Sequence, residues 1–126
     1  MSAISGLYEI AVPVRDLARA VDFYVHLLGF QPALTDRRRR WQFLRLGSTA
    51  MLVLQHAATP HRLHLALRVS EHDLDGWHRR LRGYGLPVAG PVALPWLPAR
   101  SLYFADPDGH DLELIALADQ PREAEE

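Results

Sequence analysis

The sequence predicts an α+β fold in which one βαβββ unit is used twice, as two paired modules. Two observations carry this. The chain repeats itself: Ala11 and Val14 find counterparts in Ala66 and Val69, 55 residues on, and Gly29 finds one in Gly85, 56 residues on. Each half also runs through the same order of periodicities: one alternating segment, one helical segment, then three more strand-like segments.

Residues 7–14 (LYEIAVPV) alternate, with Tyr8, Ile10, Val12 and Val14 on one face. Asp16 stands where a helix N-cap belongs, Leu17, Val21, Tyr24 and Leu28 recur at helical spacing, and Gly29 supplies the stop. Strands are then expected at 31–35, 41–46 (WQFLRL) and 50–55 (AMLVLQ), with Gly47-Ser48 as a turn. Residues 57–62 form the linker. In the second half, residues 63–69 (LHLALRV) alternate again. Ser70 and Asp73 open a helix in the manner of a capping box, Leu74, Trp77, Leu81 and Tyr84 make its apolar stripe, and Gly85 closes it. Strands follow at 88–93, 101–105 (SLYFA) and 111–117 (DLELIAL). Asp106-Pro107-Asp108-Gly109 between the last two has Asp, Pro and Gly where a tight turn wants them. The expected organisation is a single domain over 1–126: module one at about 5–56, module two at about 63–117, and a charged tail over 118–126. Each half alone is too short to bury much core, so the two are expected to pack together or to pair across a dimer.

Composition narrows the function. With 48% hydrophobic and 23% charged residues the chain has globular usage, which excludes general disorder and a coiled coil. No apolar run approaches the ~18 residues of a membrane helix. The opening MSAISGLYEI lacks a basic stretch followed by an apolar one, so a cytoplasmic protein with no membrane contact is expected. A net charge of −1 argues against a nucleic-acid partner. There is no cysteine, which excludes disulfides, thiol nucleophiles and cysteine-zinc sites. All 14 basic residues are arginine, which reads as a GC-rich coding bias and excludes Schiff-base lysine chemistry.

The chemistry lies on the strand faces turned away from the helices. Alternation puts Glu9, Ala11 and Pro13 on one such face and His64, Ala66 and Arg68 on its equivalent. Glu113, between the core residues Leu112 and Leu114, faces the same way. Glu9 and His64 hold equivalent repeat positions. A glutamate between leucines is costly to desolvate unless paired or metal-bound. Two readings stand side by side: Glu9, His64 and Glu113 ligate a metal, or the glutamates pair with arginines such as Arg68 and Arg100 in a polar cleft.

Three segments, LYEIAVPVRDLARAVDFYVHLLGF, LHLALRVSEHDLDGWHRRL and YFADPDGHDLELIAL, resemble the vicinal oxygen chelate superfamily of glyoxalase I, fosfomycin thiol-transferases, extradiol dioxygenases and bleomycin-resistance proteins. The resemblance spans about residues 5–117. It implies paired βαβββ modules whose sheets curl into a cleft, and frequently a homodimer whose clefts combine modules of two chains. It places the first-strand ligand on Glu9, the second-module histidine on His64 and the terminal carboxylate on Glu113. The chain departs from four-ligand members at Val53, where they carry a glutamate. Gln55 reaches the same cleft only in a different register.

Two carboxylates and one imidazole suit Zn²⁺, Mn²⁺ or Fe²⁺, with Ni²⁺ or Co²⁺ also admissible. Three protein ligands leave positions open for a small-molecule substrate. The resemblance therefore implies a metal-dependent lyase, isomerase or thiol-transferase with Glu9 and Glu113 in its catalytic centre. Its rival is a metal-free drug-binding protein. Arg68, Arg100, Trp96, Tyr103 and Gln55 are the expected substrate contacts, with 87–100 as a wall or lid. The run Arg37–Arg40 reads as a solvated turn. His26, His56, His61, His72, His78 and His110 are expected to face solvent.

Overall fold

A computed structural model describes residues 2–94 and 96–118. The charged tail expected over 118–126 lies outside the described residues but for Ala118. The chain divides into two compact units, Met1–Leu63 with Asp106–Gly109, and His64–Ala105 with His110–Glu126. Each carries one four-stranded mixed sheet and one helical segment, an α+β architecture with the expected βαβββ order.

In the first unit β1 (Glu9–Val14) leads through an Asp16 N-cap, whose carboxylate accepts from the Arg19 N–H at 3.1 Å, into α1 (Leu17–Val21). The helix does not continue as expected. Asp22–Leu27 is π-helical, and the Leu28 N–H donates to the Phe23 carbonyl five residues back. The reason is packing. The wider turn lets the consecutive Phe23 and Tyr24 both point inward, edge to face at 5.3 Å, together with Ala20 and Leu27. A regular 3.6-residue period keeps two neighbours from sharing one stripe so fully. Strands β2 (Gln31–Asp36), β3 (Trp41–Leu46) and β4 (Ala50–His56) complete the sheet in the order β1-β4-β3-β2, β1 running parallel to β4. Val12, Val14, Leu44, Leu52 and Leu54 form the buried face.

The Asp106–Gly109 turn belongs to this unit although the strands on either side, β7 (Ala99–Ala105) and β8 (Asp111–Leu117), belong to the other. It is the tight turn its sequence predicts: the Gly109 N–H donates to the Asp106 carbonyl at 3.0 Å, and Gly109 holds φ +85°. The Asp106 carboxylate accepts from the Asp108 N–H at 2.9 Å and from the Tyr24 hydroxyl at 2.7 Å. Asp108 accepts from the Arg15 N–H at 2.9 Å. Burial, followed by the facing Asp106 carboxylate, drives the Tyr24 phenol well above the ordinary tyrosine range.

In the second unit β5 (His64–Arg68) leads into a 3₁₀ turn (Glu71–Asp73) and α2 (Leu74–Gly83). Only half of the expected capping box forms. Ser70 Oγ accepts from the His72 N–H at 3.2 Å, while Asp73 makes no side-chain cap bond. Leu74 and Leu81 are buried as expected, but Tyr84 is 49% exposed, as the C-cap residue just past the end of the helix. Strands β6 (Ala89–Leu94), β7 (Ala99–Ala105) and β8 (Asp111–Leu117) give the order β5-β8-β7-β6, again with one parallel pair, β5 and β8. Leu65, Leu102, Phe104, Leu112, Leu114 and Ala116 make the core. Much of the expected 87–100 loop is strand β6. At its bulge Gly90 holds φ +110°, and a Cβ there would stand 2.5 Å from the Ser101 carbonyl oxygen. No helix among the described residues is long and apolar enough to cross a membrane.

Candidate functional site

The parallel β5–β8 pair sets His64 opposite Asp111 and Ala66 opposite Glu113. All four side chains leave the sheet on the face away from Leu65, Leu112 and Leu114. From there His64 Nε2 comes to 3.3 Å from Glu113 Oε1. The imidazole is 57% exposed and the carboxylate side chain only 10%. The other carboxylate oxygen, Oε2, accepts from the buried Ser101 hydroxyl at 2.7 Å. Tyr103 stands directly across from Glu113 on β7, half-buried, on the same face. His64, Tyr103, Phe104, Ala105, Asp111 and Leu112 line an open pocket of about 460 Å³.

A contact of 3.3 Å is long for a charge-assisted N–H···O⁻ bond, which closes to about 2.7–2.9 Å. It matches another geometry. With bonds of about 2.0–2.1 Å, two donors on one tetrahedral ion lie about 3.3–3.4 Å apart. The His64–Glu113 pair therefore fits two ligands of a single small divalent ion. Among the described residues no group of three or more histidine, aspartate or glutamate side chains comes together around one point. Glu9, the third expected ligand, opens β1 in the first unit, exposed, opposite Met51.

The remaining expected contacts fall as follows. Arg68 is exposed on the His64 face, opposite Ile115. Arg100 alternates to the other face of β7, opposite Ala116 and beside Leu102, so it does not share the Glu113 face. Among the described residues Glu113 meets His64 and Ser101, and no ion pair joins it to either arginine. Trp96 lies in the turn after β6, 77% exposed. Gln55 needs no change of register. It lies opposite Pro13, two residues on from the Ala11–Val53 pair, and so shares the Glu9 face. Val53, where a fourth acidic ligand was lacking, is fully buried. His26, His61 and His72 are exposed and His56 and His78 half-buried, but His110 is completely buried. That burial overturns its expected exposure.

Ser101 escaped the reading of the sequence. The signal was present: a hairpin centred on the DPDG turn pairs Tyr103 with Glu113 and Ser101 with Ile115, which sets Ser101 diagonal to Glu113 on one face.

Comparison with known proteins meets this geometry. The chain is 42% identical to the integron cassette protein HFX_CASS4 from the Halifax Harbour sewage-outfall metagenome, whose crystal structure superposes with a TM-score of 0.84 over 90% of this chain and 100% of that one. It is 32% identical to TnmS3, an antibiotic binding protein from a Streptomyces species, with a TM-score of 0.77 over 94% of this chain and 100% of that one. Among curated proteins it is 27% identical over 117 residues to the metallothiol transferase FosB of Shouchella clausii, covering 88% of this chain and 80% of the relative. The sequence model of one family matches residues 6–114, the span that runs from before β1 into β8 and holds Glu9, His64 and Glu113. With repeat, fold and sequence agreeing over that span, the chain belongs to the Glyoxalase/Bleomycin resistance protein/Dioxygenase superfamily.

Proposed function

We propose that the protein is a metal-dependent enzyme acting on a small oxygen-chelating substrate, with Glu9, His64 and Glu113 as the metal ligands. One observation carries the reading: His64 Nε2 and Glu113 Oε1 stand at the spacing of two ligands on one ion. A bound divalent ion would supply Lewis acidity toward substrate oxygens. The chain's own residues do the rest. Glu113 is held rigid by Ser101, His64 opens onto the pocket, and the Tyr103 phenol lines it beside them. Arg68 offers a guanidinium on the same face for an anionic substrate group.

Thiol transfer to an epoxide is the reaction the likeness to FosB supports. A co-substrate thiol, since the chain has no cysteine, bonds through sulfur to an epoxide carbon; the C–O bond breaks and its oxygen takes up the proton. The assembly in this reading is a two-fold dimer, in which Glu9 of a second chain can complete the set. It is supported by the position of β1 at a sheet edge, with Leu7 and Tyr8 before it more than half exposed.

A second reading has its own support. The 32% identity to an antibiotic binding protein, together with the exposed Trp96, favours metal-free capture of a drug-like ligand. Elemental analysis of the purified protein, with a Zn²⁺ titration after chelation, separates them. Stoichiometric, chelator-sensitive metal supports the enzyme. No metal uptake, with Trp96 fluorescence quenched by aromatic antibiotics, replaces it with the binding protein.

A further inference from the structure

Glu113 has two oxygens, and the structure gives each a different neighbour. Oε2 accepts the Ser101 hydroxyl at 2.7 Å, the short distance of a bond to an ionised carboxylate. Oε1 faces His64 Nε2 at 3.3 Å. Ser101 has no solvent exposure and Glu113 has 7%, so water does not compete for this contact. The serine backbone is fixed as well. β7 pairs with β8 on one side and lies under Gly90 of β6 on the other, where there is no room even for a methyl group.

We propose that Ser101 is a positioning residue that makes Glu113 a one-oxygen ligand. This rests on the metal-dependent reading above. With Oε2 accepting the serine proton, it is the weaker donor, and Oε1 is the oxygen turned to the ion, with its direction set. A carboxylate held so favours a small ion with few, directed ligands. It disfavours Ca²⁺, which takes six to eight oxygens and readily uses both of a carboxylate. Ser101 thus contributes to metal selection without touching the metal. The serine hydroxyl has one proton, and its use here leaves none for a substrate.

The test uses the full-length protein, stripped by chelation and titrated with Zn²⁺, Co²⁺ and Ca²⁺. Ser101→Ala removes the hydroxyl at nearly constant volume, and Ser101→Thr keeps it. Zn²⁺ affinity is expected to fall about 10–100-fold in Ser101→Ala, the usual loss when an outer-shell partner is removed, and to return most of the way in Ser101→Thr. The visible spectrum of the Co²⁺ form should weaken in Ser101→Ala as Glu113 swings to two-oxygen binding and raises the coordination number. Preference for Zn²⁺ over Ca²⁺ should narrow. Melting of the metal-free forms reports folding; if the alanine variant does not fold, Ser101→Cys, a poor donor of similar size, is expected to show the same direction. Equal Zn²⁺ affinity and an unchanged Co²⁺ spectrum in Ser101→Ala, with the parent protein binding metal, overturn the role of Ser101 alone. A parent protein that binds none of the three ions overturns it together with the metal-dependent reading.

Discussion

Two histidines of the second unit, one opening β5 and the other just ahead of β8, have opposite fates, and the difference is measurable. The His64 side chain is 57% exposed and fills no core space, whereas His110, one residue before β8, is sealed from solvent. His64→Ala should therefore abolish or strongly weaken metal uptake while changing stability by no more than about 0.5 kcal/mol, the usual range for surface changes. His110→Ala should do the reverse, costing about 2–3 kcal/mol through a cavity and lost contacts. Urea unfolding beside a metal titration reads both. The buried Tyr24 makes a pH prediction. Its phenol is raised in the folded state by burial first and by Asp106 second. Above about pH 10 an unfolded chain loses this proton while the folded one keeps it, so stability falls with rising pH there and is undiminished below. Tyr24→Phe should flatten that alkaline decline. At neutral pH it should cost about 1.5–3 kcal/mol, the range for a hydrogen bond to a charged partner.

At the scale of elements, what could be read beforehand was whatever depends on neighbours in sequence. Alternation located the strands: β3 and β8 run over the expected residues, and β2, β4 and β6 differ from expectation by a residue or so. It also sets His64 and Glu113 on one face. What depends on packing was not legible. The π-helical turn follows from two adjacent aromatics sharing a core, which periodicity alone does not announce. Arg100 is a different case: its parity with Leu102 and Phe104, itself legible as alternation, takes it to the face away from Glu113, against the reading from its charge. His110 reads as solvated because it follows a turn, yet it is fully buried. The β6 bulge offers a test of packing at this scale. Gly90→Ala puts a methyl group against the Ser101 carbonyl in a backbone conformation that L residues avoid. The strain alone is worth about 1–3 kcal/mol, so a lowered melting temperature is expected, with metal affinity falling as Ser101 shifts.

At the scale of the whole molecule, the proposed metal set leads to one question: which chain would supply Glu9. If two chains share each site in a two-fold dimer, mixing Glu9→Gln with His64→Ala must restore function. Half of the mixed dimers are heterodimers with one intact site each, so about a quarter of all sites should regain metal. If one chain builds its own site, no mixture regains any. Metal content after unfolding and co-refolding the two variants gives the answer.

The Asp106–Gly109 turn has a consequence for the molecule's divisibility. In sequence the chain reads as one unit used twice, with the expected linker at 57–62. In space that division is crossed, because four residues from the second half are built into the first unit. Cutting at the linker would leave the first fragment with a buried Tyr24 hydroxyl and an Arg15 amide deprived of their acceptors, and the second with a β-turn torn from its seat. The halves thus read as copies but are not exchangeable as parts. Grafting the first half onto a foreign second half should succeed only where the graft brings its own aspartate to meet Tyr24.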